Sequence, residues 1–294
     1  MPGTVLDGRK LSSEIRQELA ERVAALAERG VTPTLAGVLV GEDAGSASYV
    51  RLKEKGCNEV GVRPEMVRLA QDYTQKDLLT RVRELSNRKD VHGIFVQLPL
   101  PPQFEENAIL DAVAPEKDVD GFHSISVGRS WLGQEAFVPA TPSGIMQMLR
   151  RYGYTDLRDK HAVIVGVDNL VGKPIASLLA QDDIGANVTL CHPDTSELAD
   201  ITRQADVLVV SVNRPAFITA DMVKDGVIAF DFGANYVDDP SAKNGYRLVG
   251  DIDFEPVSQR AEAITPVPGG LGPMTVTMLL AHTVQAAERL SAAV

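Results

Sequence analysis

Short apolar, β-rich runs alternate with helical patterns along most of the chain, and this alternation is the feature that most constrains the fold. A helix is predicted over about Gly8–Arg29, where apolar residues recur every three or four positions, and a strand over Thr34–Val40. The first series continues with these predicted elements: a helix over Tyr49–Glu59, a strand near Met66–Ala70, a helix near Lys76–Asn87 and a strand over Gly93–Leu98. Such alternation favours a parallel sheet that is covered by helices on both faces.

A second alternating series follows an irregular stretch that begins at Pro99 and a helix that is opened by Thr141 and Pro142. It predicts these elements: a strand over His161–Val165, a helix from Pro174, a strand NVTLC, a helix near Glu197–Gln204, and strands DVLVVSV and GVIAFDFG. This order is typical of a doubly wound, dinucleotide-type domain. A last helix is predicted from Met274 to about Leu290.

These patterns predict an α/β protein of two domains. Residues 1–140 form a substrate domain with a parallel sheet, and the C-terminal helix, residues 274–294, packs back on it. Residues 141–273 form a Rossmann-like nucleotide domain. The length of 294 residues also favours two domains over one.

Composition excludes several classes of protein. Hydrophobic residues make up 44% and charged residues 23%, which argues against a disordered or fibrous chain, and the net charge of −11 argues against a nucleic-acid partner. Cys57 and Cys191 lie far apart without a CxxC motif, and no histidine has a second ligand at metal-binding spacing, so we expect no disulfide and no metal. Because no apolar run approaches the length of a membrane span, we expect a soluble cytoplasmic protein with no membrane partner.

Three positions in the first domain are candidates for chemistry. Tyr49 and Lys53 are four residues apart on one helix face, either as a half-buried tyrosine and a solvated lysine or as a hydroxyl beside a lysine whose pKa is lowered by partial desolvation. Gln97 comes late in an apolar strand, either at a solvated edge or at the strand end where α/β sheets bind ligands.

Two loops carry further candidates. Asp118 and Asp120 lie in PEKDVDG, whose composition favours an Asx turn closed by Gly121 but also suits a binding carboxylate. The run PVPGGLGPMT, residues 266–275, is either a rigid turn before a helix or a backbone that approaches a flat ligand closely.

The second domain carries a glycine-containing turn between a strand and a helix. In GVDNLVGKP, residues 166–174, the glycines let a pyrophosphate rest against the amides at the helix N-terminus, although the motif is not GxGxxG. Asp194 follows the next strand, 22 residues after Gly172, where an acidic residue can hold a ribose diol or cap the following helix.

Six segments in this order resemble the bifunctional methylenetetrahydrofolate dehydrogenase/cyclohydrolase family over nearly the whole chain. They are SASYVRLKEKGCNEVG, GIFVQLPLPPQ, APEKDVDGFH, PATPSGIMQML, HAVIVGVDNLVGKP and ITPVPGGLGPMTVTMLL. The resemblance implies a homodimer with folate in a cleft between the two domains. It also implies oxidation of 5,10-methylenetetrahydrofolate with NADP or NAD, followed by hydrolysis to 10-formyltetrahydrofolate.

The resemblance assigns roles to individual residues. Lys53 matches the catalytic lysine, Gln97 its glutamine partner, Tyr49 a tyrosine that stacks on or orients the substrate, and Asp120 the aspartate that binds the pterin; we predict all four as catalytic. The expected substrate-binding residues are Tyr49, Gln97, Leu98, Pro99, Asp120, Pro268, Gly269 and Gly270. The expected cofactor-binding residues are Thr141, Gly166, Val167, Asp168, Val171, Gly172, Lys173, Pro174, His192, Asp194, Asn213, Gly233 and Ala234.

Departures from the family pattern concentrate in the second domain. Val167 and Asp168 stand where the family commonly has Arg-Ser, and Pro193 and Asp194 stand where a serine or basic residue is usual. The missing groups would hold the 2′-phosphate of NADP, so we predict a preference for NAD, although Arg214 or Lys173 can supply another phosphate anchor. Two alternatives stay open: a relative that retains folate binding and cyclohydrolase activity but has altered or lost dehydrogenase activity, and a non-catalytic sensor of folate or nucleotide.

Overall fold

The computed structural model describes residues 2–242 and 244–292, and its chain divides into two compact units. One, the three-stranded unit, comprises Ser12–Ala140 and Val276–Val294. The other, the six-stranded unit, comprises Met1–Leu11 and Thr141–Thr275. The described helices include none that is long and apolar enough to cross a membrane.

The three-stranded unit is built on a parallel sheet in the order β3-β2-β4. Its elements, including the two long helices that continue into the other unit, are α1 (Gly8–Glu28), β2 (Thr34–Val40), α2 (Ala44–Val60), β3 (Arg63–Leu69), α3 (Gln75–Asn87), β4 (Gly93–Val96), α4 (Glu106–Leu110), α5 (Ser124–Trp131) and α10 (Leu271–Ala292). Every residue of β2 is buried, which explains why TLAGVLV shows no alternation of polar and apolar residues. Apolar side chains of α3, β2 and β4 pack together in one core.

The six-stranded unit contains a parallel sheet in the order β1-β11-β8-β7-β5-β6. Its elements are β1 (Thr4–Val5), α6 (Ala140–Arg151), β5 (His161–Val165), α7 (Gly172–Leu179), β6 (Asn187–Cys191), α8 (Leu198–Thr202), β7 (Val207–Val210), β8 (Ile228–Asp231), β9 (Asn235–Asp238), β10 (Tyr246–Val249), α9 (Phe254–Ser258) and β11 (Ala263–Ile264). β9 and β10 form a separate antiparallel pair. The strand order reverses at β5, with β6 on one side and β7 on the other, and such a switch point is where open α/β sheets bind ligands.

The N-terminus departs from the predicted grouping, which placed residues 1–140 in one domain. β1 pairs in parallel with β11, Gly3 N donates to Ser258 O, and Leu6 N donates to Ile264 O, so the first eleven residues belong to the six-stranded unit. A strand of two residues is too short to give a sequence pattern. Its pairing depends on a partner at the other end of the chain.

Several element boundaries also differ from the prediction, and two of them bear on the candidate site. α2 begins at Ala44, before the predicted start at Tyr49, because the Asp43 carboxylate caps it by accepting from Ser46 N at 2.7 Å. β4 ends at Val96, so Gln97 lies one residue beyond the strand, although Gln97 N still donates to Val38 O at 2.9 Å.

Candidate active site

Lys53 and Gln97 meet in the three-stranded unit. Lys53 Nζ donates to Gln97 Oε1 at 3.3 Å, and Gln97 Nε2 donates to Leu98 O at 2.8 Å. Because a carbonyl accepts and cannot donate, the Leu98 contact turns the amide so that its oxygen faces the lysine. The sequence placed this glutamine at the strand end, and the structure brings it against a lysine from α2.

The Phe95 ring lies beneath the Lys53 amine, a contact that the sequence analysis did not identify. Lys53 Nζ lies 3.8 Å from the centroid of the Phe95 ring, a cation–π distance, and the ring is 1% exposed. Phe95 and Gln97 are two residues apart, so they share one face of an extended segment. Gly37 on β2 makes room for the ring, since a Cβ there would lie 2.3 Å from Phe95 Cζ.

Asp120 completes the cluster from a neighbouring segment. A parallel bridge between Ile94 and Asp118 places residues 118–120 beside β4, which explains how this loop reaches the end of the strand. Burial lowers the pKa of Lys53 and raises that of Asp120, and the attraction between the two charges opposes both shifts. The site therefore holds a lysine whose amine loses its proton more readily than an exposed lysine does.

The two carboxylates of the PEKDVDG loop have different partners. Asp118 accepts from Phe122 N at 3.3 Å and from His123 N at 2.9 Å, so it is the residue that closes the turn. Asp120 is partly buried, and within residues 2–242 and 244–292 no donor lies within hydrogen-bond distance of its carboxylate. Its acceptor oxygens remain available to a ligand.

His282 fixes the loop from behind and was also missed by the sequence analysis. Its Nδ1 lies 2.9 Å from Val119 O, and burial lowers its pKa to about 4, so the ring is neutral near pH 7. A neutral ring beside a carbonyl carries its proton on Nδ1 and donates it. This bond from α10 holds the residue between Asp118 and Asp120.

The other predicted substrate residues of this unit are accessible. Tyr49 lies one helical turn before Lys53 and is 55% exposed; in the described part of the chain, no hydrogen bond joins its hydroxyl to the lysine. Leu98 is partly buried and Pro99 is exposed. All three are close in sequence to Lys53 or Gln97, and each has side-chain surface that a ligand can reach.

In the six-stranded unit, two glycines let α7 begin close to the end of β5. A Cβ on Gly166 would lie 2.2 Å from Ser211 O, and one on Gly172 would lie 1.9 Å from Gly166 O. Gly166 also has a φ of +123°, which residues with a side chain rarely adopt. The turn therefore forms the kind of cradle in which a dinucleotide pyrophosphate lies at a helix N-terminus.

Two side chains of this turn, Asp168 and Lys173, form hydrogen bonds within the protein. Asp168 Oδ1 accepts from Leu170 N at 2.8 Å and from Val171 N at 2.7 Å, and its Oδ2 accepts from the Ser211 hydroxyl at 3.3 Å. Lys173 Nζ donates to Asn169 Oδ1 at 2.8 Å. Of the remaining predicted residues here, Val171 is buried, and Val167 and Pro174 are partly buried.

A loop after β7 carries Asn213 and is held by Asp251, which sequence reasoning missed. Asp251 is fully buried and accepts from Val212 N at 2.7 Å, Asn213 N at 3.0 Å and Arg214 N at 2.9 Å. Asn213 has a φ of +55°. The sequence signal for this role is weak: Asp251 follows β10 after one glycine, in the run GDID.

We expect Asp251→Asn to destabilise the six-stranded unit and to weaken dinucleotide binding. An asparagine offers one acceptor oxygen in place of two, which leaves a buried N–H unpaired at a cost of about 1–3 kcal/mol. Urea unfolding and the Kd for NAD measure the two effects. Asp253→Asn is the control, since the Asp253 side chain makes no capping hydrogen bond; equal stability of both variants and the parent would contradict the role.

Most of the other predicted cofactor residues follow the carboxyl ends of β6 and β8, and Thr141 lies in α6. Gly233 N donates to Asp231 Oδ1 at 2.8 Å, Ala234 and His192 are exposed, and the Thr141 hydroxyl shares a hydrogen bond of 2.8 Å with the Thr275 hydroxyl. Thr141 lies inside the first turn of α6 and not at its cap. Asp194 pairs with Arg214 at 2.9 Å.

The loop of Pro268, Gly269 and Gly270 packs on the start of α1. Arg9 N donates to Gly269 O at 3.1 Å, and a Cβ on Gly8 would lie 1.8 Å from Gly270 O. Gly269 has a φ of +114° and Pro268 is exposed. The N-terminal residues therefore support the loop that the sequence assigned to folate.

The six-stranded unit also contains a cavity of about 580 Å³, which Pro266 and Val267 of the candidate run 266–275 help to line. It opens beside the β9–β10 pair and is lined in part by Asp231, Arg247 and Phe254. Burial raises the pKa of Asp231 to about 6, while its carboxylate accepts from the backbone N–H groups of Gly233, Asp251 and Ile252. Asp231 therefore supports the same loop network as Asp251.

Each of the two units matches a domain of a known protein family. Residues 6–120 match the family described as tetrahydrofolate dehydrogenase/cyclohydrolase, catalytic domain, and residues 139–291 match its NAD(P)-binding domain. The bifunctional protein FolD of Chlorobium chlorochromatii is 48% identical over 98% of this chain and 99% of its own length.

Solved structures agree in fold as well. The bifunctional FolD of Campylobacter jejuni is 44% identical with a TM-score of 0.92, covering 97% of this chain and 99% of its own. The dehydrogenase-cyclohydrolase of Trypanosoma brucei, solved with NADP and an inhibitor, is 38% identical with a TM-score of 0.92 and covers 98% of each chain. With its paired lysine and glutamine, its glycine-lined turn and these full-length matches, the chain belongs to the tetrahydrofolate dehydrogenase/cyclohydrolase family.

Proposed function

We propose that Lys53, Gln97 and Asp120 carry the proton chemistry and the pterin recognition of this enzyme. The chain is a methylenetetrahydrofolate dehydrogenase and methenyltetrahydrofolate cyclohydrolase, and nothing in the comparisons favours a relative without dehydrogenase activity or a sensor. The observation that carries the residue assignment is the 3.3 Å contact between Lys53 Nζ and Gln97 Oε1 beside a partly buried carboxylate.

Hydrolysis of the methenyl cation needs a group that moves a proton. The neutral amine of Lys53 takes a proton from the attacking water as its oxygen bonds to the methenyl carbon, and the resulting ammonium returns that proton to N5 as the carbon–N5 bond breaks. The second proton of the water goes to solvent, which leaves the formyl group on N10. Gln97 accepts from the ammonium and so fixes its direction, while the loss of hydration on burial lowers the pKa of the amine.

Asp120 is proposed to bind the amino-pyrimidinone edge of the pterin. That edge offers adjacent N–H donors, and a carboxylate without protein donors is a fitting acceptor. Tyr49, Leu98 and Pro99 are proposed to contact the flat ring system from the same unit. Pro268, Gly269 and Gly270 are proposed to contribute a glycine-containing backbone that approaches it closely.

The dinucleotide is proposed to bind at the carboxyl ends of β5, β6 and β7. Gly166 and Gly172 leave room for the pyrophosphate at the start of α7, and Asp194 is placed after β6 where a carboxylate accepts from the adenosine ribose. Gly166, Gly172 and Asp194 would hold the dinucleotide, which would supply the hydride acceptor for the methylene group. The contribution of the protein to that transfer is positioning.

We propose that the enzyme prefers NAD to NADP. Asp194 and Asp168 are proposed to lie near the position of a 2′-phosphate. The negative charge of their carboxylates would disfavour that group. Repulsion between a carboxylate and a phosphate dianion costs on the order of 1 to a few kcal/mol when both are partly desolvated.

Initial rates with each cofactor test this proposal. We expect reduced nucleotide from methylenetetrahydrofolate with a kcat/KM for NAD at or above that for NADP, because Asp194 accepts from a diol and repels a phosphate. The purified enzyme is also expected to hydrolyse methenyltetrahydrofolate without any nucleotide. A kcat/KM for NADP tenfold above that for NAD would contradict the preference, and hydrolysis without any nucleotide reduction would contradict the proposed dinucleotide site.

Two further properties remain proposals that rest on the resemblance and the composition. We propose that the enzyme forms a homodimer and works in the cytoplasm on one-carbon derivatives of tetrahydrofolate. A sedimentation experiment that gives the mass of a single chain would contradict the first.

A further inference from the structure

Asp194 and Arg214 bridge the strand end at the switch point of the six-stranded sheet. Asp194 lies in the turn after β6 and Arg214 in the loop after β7, while β5 lies between those two strands. Their side chains meet with 2.9 Å between Arg214 Nη1 and Asp194 Oδ1. The pair therefore spans the carboxyl end of β5, where Gly166 and the start of α7 form the cradle for a dinucleotide.

The backbone fixes Arg214 in this position while its side chain stays accessible. Its N–H donates to the buried Asp251 carboxylate at 2.9 Å, and its guanidinium carbon lies 5.3 Å from the centroid of the Phe217 ring. The Arg214 and Asp194 side chains are 45% and 77% exposed. An exposed ion pair contributes little net stability to the fold, so its effect here is on the direction of the guanidinium and on the charge that a ligand meets.

We propose that the Asp194–Arg214 pair determines cofactor specificity, with Asp194 holding Arg214 away from the position of a 2′-phosphate. This inference rests on the proposed dinucleotide site at the end of β5. With NAD, Asp194 accepts from the ribose hydroxyls and keeps its ion pair. With NADP, the phosphate brings about 1.5 to 2 negative charges against the same carboxylate.

Arg214 is positioned to bind a phosphate, but its guanidinium is already paired with the Asp194 carboxylate. A guanidinium binds phosphate through two parallel hydrogen bonds, which a lysine does not offer. Lys173 lies in the glycine-containing turn, and its amine donates to Asn169. Removing the Asp194 carboxylate therefore both ends the repulsion and releases the arginine.

Binding of two nucleotide fragments to four forms of the full-length enzyme tests the pair without relying on activity. The forms are wild type, Asp194→Ser, Arg214→Gln and the double variant, and the probes are adenosine 2′,5′-bisphosphate and 5′-AMP in isothermal titration calorimetry. We expect Asp194→Ser to tighten bisphosphate binding roughly 10- to 100-fold and to weaken AMP binding about threefold or more. Arg214→Gln is expected to weaken bisphosphate binding at least tenfold in the Asp194→Ser background and less than threefold in wild type.

A second ion pair in the same unit provides the control. Arg158 and Asp156 also lie 2.9 Å apart on the surface, and Arg158→Gln is expected to leave both fragments bound as in wild type. Equal effects of Arg214→Gln in the two backgrounds, or unchanged bisphosphate binding in Asp194→Ser, would overturn the proposal while AMP binding upholds the dinucleotide site. A wild-type enzyme that binds neither fragment would overturn the site and the pair together.

Discussion

Lys53→Met is expected to lower the rate of methenyltetrahydrofolate hydrolysis by roughly 10²- to 10⁴-fold, the range that a positioned general acid–base contributes. Oxidation of methylenetetrahydrofolate is expected to fall much less, because that step depends on positioning and needs no proton from the lysine. Methionine is unbranched, only slightly shorter than lysine, and packs favourably on Phe95, so the variant should fold. Stopped-flow hydrolysis and nucleotide reduction measure the two rates.

The pH profile provides a second readout of the same variant. Burial lowers the pKa of Lys53, so the hydrolysis rate of the wild-type enzyme should rise with pH as this amine loses its proton, below the range of an exposed lysine. That rise should disappear in Lys53→Met. Lys55→Met is the control, since Lys55 is an exposed residue of the same helix; a control that loses as much activity, or a Lys53 variant that keeps the wild-type rate and profile, would refute the role.

Asp120→Asn is expected to raise the KM for methylenetetrahydrofolate by roughly 10- to 100-fold. The asparagine loses charge-assisted hydrogen bonds to the pterin, which are worth about 1.5–3 kcal/mol, and tenfold in affinity corresponds to about 1.4 kcal/mol. The carboxylate also raises the pKa of Lys53, so its removal should move the pH-dependent rise in hydrolysis to lower pH. Steady-state kinetics across a pH series measure both effects.

Asp118→Asn separates this role from a general effect on the loop. Asp118 accepts two backbone hydrogen bonds inside the turn, so its substitution should lower the free energy of unfolding by about 1–3 kcal/mol and affect KM less than Asp120→Asn does. An Asp120→Asn enzyme with unchanged KM and an unmoved pH profile would show that this carboxylate does not contact the pterin.

The order of elements in both units was predictable from local pattern alone. Buried strands such as Thr34–Val40 read as continuous apolar runs, and helices read as apolar residues spaced by three or four. Gln97 stood out because a polar residue at the end of an apolar strand needs a partner. Its partner Lys53 was identified from the family resemblance as much as from physical reasoning.

What the sequence did not reveal depends on contacts between distant segments. Phe95 reads as an ordinary core residue until Gly37 on the adjacent strand is seen to admit its ring under Lys53. His282 and Asp251 act through hydrogen bonds to backbone groups of loops far away in the chain, and nothing in their own neighbourhood indicates which loop. Periodicity reports which face of an element is buried, and it carries no information on the partner across the core.

The pairing of β1 with β11 has a consequence for synthesis on the ribosome. Thr4 and Val5 leave the ribosome long before their partners Ala263 and Ile264 are translated. β2, β3 and β4, by contrast, are all available once Val96 has left the exit tunnel. We therefore expect the nascent chain to assemble the sheet around Lys53 and Gln97 early, whereas Thr4 and Val5 join the six-stranded sheet only after Ile264 has emerged.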